Sequence, residues 1–223
     1  MFLNLYGNTI SLQNTTFEHF PSIVPVFPLS GVLLLPHGKL PLNIFEPRYL
    51  QMIEDAMSSH RMIGMAQPVN PMDKNVLPEI YPTGCLGKIT SFSETEDERY
   101  FVTLTGLARF NIIREMPANG LLYRQVNVNY TAFGKDLDKP EKLELNRDIL
   151  LPALKNFFEL KGLSANWDAI NKSDDTDLLT SLAMICPFSP SEKQALLECV
   201  TSESRANMLV ALMKWLGMIQ IKK

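Results

Sequence analysis

The spacing of hydrophobic positions changes character near residue 134. Before that point apolar residues alternate with polar ones or gather in short uncharged runs; after it they recur at three and four residues. Alternation is the period of a half-buried strand, and three-four recurrence that of a helix packed on one face. The cleanest alternation is Tyr123–Tyr130, with Val126, Val128 and Tyr130 inward against Gln125, Asn127 and Asn129. A second strand sets Tyr100, Val102 and Leu104 against Arg99, Phe101 and Thr103; Gly106 is expected to break it, with a separate strand over Leu107–Arg114. Shorter strands are expected over Arg61–Gln67 and from Gly84 to Phe92, the glycines of the latter implying a bulge or a close backbone approach. Between them the proline-rich stretch Val69–Pro82 reads as a loop. Ser93–Glu98 reads as a solvated acidic turn, since it lacks the spacing and turn glycine of a calcium loop.

The segment Val24–Tyr49 combines several elements. Val24, Val26, Phe27 and Leu29 form a strand, and Pro25 and Pro28 predict an edge position for it. Val32–Leu35 is an apolar run between turns, followed by a strand through Leu40, Leu42 and Ile44. A helix then opens at Glu46-Pro47, with proline at its first position and a carboxylate at its positive end. It extends to about Met57 with Tyr49, Leu50, Met52, Ile53, Ala56 and Met57 on one face. Arg48 is expected to brace the neighbouring strand.

From residue 141 the pattern is helical. Leu145, Ile149, Leu150, Leu154, Phe157 and Phe158 mark one helix, which Pro152 is expected to kink or split. Leu163-Ser164 is expected to cap a short turn carrying Trp167 and Ile170, and Asp174–Thr176 precedes a helix that Pro187 stops. Ser189-Pro190-Ser191-Glu192 is a capping-box sequence with proline at the first helical position. Thr201 or Ser202 caps a last helix expected to end at Gly217. The division that follows is an N-terminal extension over 1–20, a β subdomain over 21–133, a polar linker over 134–140 and a helical subdomain over 141–223.

Composition narrows the function. A net charge of -3 gives no global basic footprint of the kind that drives nucleic-acid binding. The N-terminus lacks a basic region before an apolar core, no run reaches the length of a membrane helix, and Cys85, Cys186 and Cys199 are scattered. A cytoplasmic protein without disulfides is expected, with neither metal nor cofactor. No phosphate-loop, dinucleotide, zinc-protease or serine-hydrolase motif occurs. His19, His37 and His60 leave only a chance pairing with Cys85 or Cys186 as a cysteine-hydrolase reading.

The stretch PVFPLSGVLLLPHGKLPLNIFEPRYLQMIEDAM resembles the start of the Lon protease N-terminal, substrate-binding domain, and the IFEPRY signature is quite specific. Gly84–Ile89, Leu104–Phe110 and SLAMICPFSPSEKQALLECVTSESRANMLVALM resemble later parts of the same domain, so the resemblance covers Ile23 to Met218. It implies an α+β fold, a PUA-like β pseudobarrel followed by a helical bundle. It also implies a non-catalytic module that binds polypeptide or a partner protein, without the ATPase and Ser-Lys protease domains that follow in full-length relatives. RNA binding is the alternative that PUA-like folds suggest. The signature residues Phe45, Glu46, Pro47, Arg48, Tyr49, Gly106 and Arg109 are expected to be structural. Leu34, Leu35, Pro36 and His37, with Met65 and Gln67 nearby, are the expected contact surface, provided that Leu34 and Leu35 stay exposed at their turn and do not enter the barrel.

Overall fold

One long strand organises the sheet. β5 (Tyr100–Glu115) pairs antiparallel with β4 (Thr83–Glu94) over most of its length, with β2 (Lys39–Ile44) along its first half and with β6 (Arg124–Asn129) along its last. The six strands run in the order β2-β5-β4-β3-β1-β6, where β1 is Ile23–Pro28 and β3 is Met62–Ala66, and β6 bonds both β1 and the far end of β5. Helix α1 (Pro47–Met57) lies among the strands, and α2 (Arg147–Lys161), α3 (Trp167–Lys172), α4 (Asp175–Ile185), α5 (Pro190–Glu198) and α6 (Ser202–Gln220) follow them. The fold is mixed α+β. The computed structural model describes residues 17–73, 77–138 and 143–220, with side chains through 215. Most of the expected N-terminal extension, up to residue 16, and part of the expected linker lie outside the described residues.

Several expectations change. β1 is internal, pairing parallel with β3 and antiparallel with β6. Its prolines sit where no ladder donor is needed. The Val128 amide donates to the Ser22 carbonyl, so bonded pairs with β6 fall on even residues and Pro25 falls between them. Pro25 also precedes the first β3 pair, Val26–Gly64, and Pro28 lies past the last β6 pair, Val26–Arg124. β5 runs unbroken through Gly106. That glycine exists for a close approach: a Cβ there would lie 2.0 Å from the Leu35 carbonyl oxygen. The Gly106 amide donates to Gly38 O and its carbonyl accepts from the His37 amide, which ties the 33–38 segment to the strand. α2 runs through Pro152 in one piece, Asn166 caps α3 in place of Ser164, and α6 continues past Gly217. The capping box of Ser189 and Glu192 forms as expected.

Two apolar clusters fill the molecule. One lies within the sheet around Val24, Val26, Leu86, Phe110, Val126 and Val128. The other runs continuously from Phe27 and α1, through Leu33, Leu34 and Leu35, to Phe157, Leu179, Leu196 and Met213 of the helices. The strands and helices therefore share a core. A buried polar junction reinforces it. Arg109 of β5, 3% exposed, is gripped by Asp136, with Nε to Oδ2 at 2.8 Å, Nη2 to Oδ1 at 2.6 Å and the Arg109 amide to Oδ2 at 2.9 Å. Its Nη1 donates to the carbonyls of Leu197 and Cys199 at the end of α5, and its guanidinium lies 4.5 Å from the Phe133 ring centroid. Arg205 of α6 donates to Leu196 O and Cys199 O in turn. Residues 134–137 of the stretch expected as linker belong to a 3-10 segment, Thr131–Leu137, that delivers Asp136 to the junction.

Removing Asp136 would leave a buried guanidinium uncompensated, which costs about 3–5 kcal/mol. Asp136→Ala is expected to lose that much in denaturant unfolding; a loss under about 1 kcal/mol would contradict the clamp. Gly106→Ala is expected to cost about 1–3 kcal/mol by overpacking against Leu35, and an unchanged midpoint would show that the 33–38 segment can yield.

Candidate functional site

A cleft of about 220 Å³ opens at the N-terminus of α1, between the start of β6, the end of β1 and the loop after β3. Four separate segments build it: Val26, Pro28 and Ser30; Arg48 and Tyr49; Pro68, Asp73, Leu77 and Pro78; and Leu122, Tyr123 and Arg124. Its floor is held in place from α1. Tyr123 Oη donates to Asp55 Oδ2 (2.9 Å), the Leu122 amide donates to Gln51 Oε1 (2.9 Å), and Tyr49 packs on Phe27 with ring centroids 4.1 Å apart. Burial and the Asp55 hydrogen bond push the Tyr123 phenol up to about 12, and burial raises that of Tyr49, so both present neutral hydroxyls at neutral pH.

The cleft has an apolar rim. Leu77 is 64% exposed and Leu122 61%, with Val69 and Met72 of the same loop also exposed. Its cations are offset. Arg48 donates to Glu46 through Nε (3.0 Å) and Nη2 (2.8 Å) and lies over the Tyr49 ring, while Arg124 pairs with Glu115 and donates to Pro78 O. Glu46 caps α1 by position and makes no side-chain cap hydrogen bond; its carboxylate is turned to Arg48.

The expected contact surface is dispersed. Leu34 and Leu35 are each 1% exposed because their run fills the space between sheet and helices: a Cβ on Gly87 would meet Leu34, and one on Gly38 would meet Met184 of α4. Met65 is buried in the same core. Gln67 is buried as a polar clip, its Oε1 accepting from the Gly31 amide (3.2 Å) and its Nε2 donating to Pro190 O of α5 (3.0 Å). Burial removes Leu34, Leu35, Met65 and Gln67 from any contact surface. Pro36 and His37 stay at the surface, His37 turning the chain at φ 64°, on the lip of a different cavity. Of the signature, Arg48 and Tyr49 line the cleft, Phe45 is exposed, Gly106 holds the 33–38 segment and Arg109 belongs to the junction.

The residues missed by the sequence reading are Leu77, Leu122, Tyr123 and Arg124. One signal was present: Leu77 and Leu122 are large apolar residues in turn-rich stretches, belonging to no periodic face.

Comparison with known proteins agrees with this architecture. Residues 23–214 match the family model of the ATP-dependent protease La (LON) substrate-binding domain. The Lon protease of Erwinia amylovora is 26% identical over 215 residues, and that of Buchnera aphidicola 25% over 215 residues. Each alignment covers 90% of this chain and 26% of the relative, so the chain spans about a quarter of the length of these relatives. Among solved structures, the Lon N-terminal domain protein from Xanthomonas campestris aligns with a TM-score of 0.57 at 22% identity, over 86% of this chain and 98% of that one. The N-terminal domain of Mycobacterium avium complex Lon protease aligns with a TM-score of 0.56 at 17% identity over the same shares. At these identities the likeness is one of fold. The match of residues 23–214 places the chain in the family: it belongs to the LON substrate-binding domains.

Proposed function

We propose that the chain is a non-catalytic polypeptide-recognition module that lays an extended segment of an unfolded or partner protein across the cleft at the N-terminus of α1. The observation that carries this reading is the composition of the cleft. Two neutral tyrosines and the prolines Pro28, Pro68 and Pro78 form its walls, and Leu77 and Leu122 stand exposed at its lips. Tyrosine supplies large, rigid contact area at little entropic cost. Exposed leucines beside a concave wall suit apolar side chains of a bound segment. The family's description as a substrate-binding domain supports the same reading.

The pairing of Arg48 and Arg124 with Glu46 and Glu115 leaves little net positive charge for a phosphate backbone, which favours polypeptide over RNA. The cysteine-hydrolase reading has little support. Burial raises the Cys85 thiol well above its usual range and pushes Cys186 up to about 12, so neither is a thiolate at neutral pH. We read the sheet as a PUA-like pseudobarrel, on the strength of β6 bonding both β1 and β5. The subdomain limits of 21–133 and 141–223 stand as a proposal, with Asp136 assigned to the junction. An adaptor role in protein quality control and a cytoplasmic location are the corresponding expectations for the cell.

An unfolded-protein peptide labelled for fluorescence anisotropy tests the cleft. The double variant Leu77→Asp, Leu122→Asp is expected to weaken binding at least about tenfold, the equivalent of ~1.4 kcal/mol, with an unchanged unfolding midpoint. Unchanged affinity would move the site elsewhere. Iodoacetamide at neutral pH is expected to label Cys85 and Cys186 of the folded protein far more slowly than the denatured chain. Rapid labelling of either would restore the hydrolase reading.

A further inference from the structure

A second cavity, of about 120 Å³, lies on another side of the molecule, where the Asp136 turn, α4 and the N-terminus of α6 meet under Pro36 and His37. It has room for several waters. Its inner wall is the junction itself, and the charges there do not balance. Two buried guanidiniums, Arg109 and Arg205, converge on one carbonyl, Cys199 O, at 2.5 and 3.3 Å, and the carboxylate of Asp136 is held by Arg109. At the mouth, exposed Lys135 and exposed Asp138 offset each other. Among the described residues of the interior wall, Arg109 and Arg205 against Asp136, one positive charge is left in excess.

The donors are arranged to match. Arg205 is 7% exposed; its Nε and Nη2 are used on Leu196 O and Cys199 O, and its Nη1 has no acceptor among the described residues. Arg205 is itself one of the residues that line the cavity. Thr176, Thr180 and Ser202 also line the cavity, and their hydroxyls have no partner among the described residues. Ser202 is the first residue of α6, a helix of 19 residues that starts beside the cavity; Thr201 Oγ1 accepts from the Ser204 amide and Glu203 stands in the first turn, while the Ser202 and Glu203 amides have no partner among the described residues.

We propose that this cavity is a binding site for a compact oxyanion, a single phosphate-type group, held by Arg205 Nη1, the three hydroxyls and the N-terminus of α6. The anion would supply the counter-charge that the junction lacks and would couple its presence to the docking of α5 and α6 on the sheet. The chemistry is that of charge-assisted hydrogen bonds from a guanidinium and a helix terminus. It is separate from the polypeptide cleft, which shares none of these residues.

Titration of the whole 223-residue, ¹⁵N-labelled chain with inorganic phosphate, at constant ionic strength set by chloride, tests the site. Saturable shifts are expected for amides of Lys135–Asp138 and Ser202–Arg205, with those of Tyr49 and Tyr123 unmoved. Methyl phosphate is expected to move the same amides if a phosphorylated ligand can enter, while a response to inorganic phosphate alone restricts the site to the free ion. Ser202→Glu places a carboxylate at the start of a helix, where it is compatible with folding, and is expected to abolish the response. Thr180→Val removes one hydroxyl and is expected to weaken binding about tenfold. Shifts that do not saturate, that scatter over the surface, or that persist unchanged in Ser202→Glu would overturn the proposal.

Discussion

A guanidinium buried inside a protein must be matched on nearly every donor, and the Arg109 side chain imposes that condition on three parts of this chain at once. It needs a carboxylate in fork geometry, which obliges the segment after β6 to turn back and present Asp136. It needs carbonyl acceptors, which obliges the end of α5 to dock against β5. Both demands come from one residue in the middle of the longest strand. The apolar run Leu33–Leu35 fills the rest of the contact between sheet and helices, and it is secured by Gln67 on Pro190 O, by Lys193 Nζ on Gly31 O and by Gln194 Nε2 on Thr83 O. Because replacing such a group by an apolar one often costs little, the guanidinium is better seen as fixing orientation than as adding stability.

That fixed frame gives the recognition cleft its character. The walls of the cleft come from the end of β1, the start of α1 and the start of β6, all anchored to one sheet, while the exposed apolar positions stand at its lips, Leu77 on the loop after β3 and Leu122 just before β6. A site with rigid aromatic and proline walls loses little entropy on binding, and exposed apolar lips can meet segments of differing sequence. This suits recognition of polypeptide by apolar content more than by a fixed sequence.

Much of the fold was legible because it is set by local chemistry. The alternation in β6, the amphipathic face of α1 and the capping box at Ser189 each depend on a few adjacent residues, and each is present as read. What was not legible depends on partners distant in the chain. Pro25 and Pro28 argued for an edge strand, but their tolerance depends on where the β3 and β6 ladders begin and end. Gly106 looked like a break because a missing side chain reads the same whether it ends a strand or admits a carbonyl. Asp136 looked like a linker residue because its partner lies 27 positions away. Leu34 and Leu35 looked like a rim because the helices that share their core come more than 100 residues later. The cleft was hidden for the same reason: four short segments contribute to it, and none carries a periodic or motif signal of its own.

The central claim is that polypeptide is held between Leu77, Leu122 and the two tyrosines. Site-specific photo-crosslinking tests it most directly, with a photoreactive residue at position 122 in one sample and at position 185 of α4, where Ile185 is similarly exposed, in another. Incubated with the same unfolded polypeptide, the chain labelled at 122 should give a crosslinked adduct and that labelled at 185 should not. Equal yields at both positions, or an adduct at 185 alone, would contradict the account.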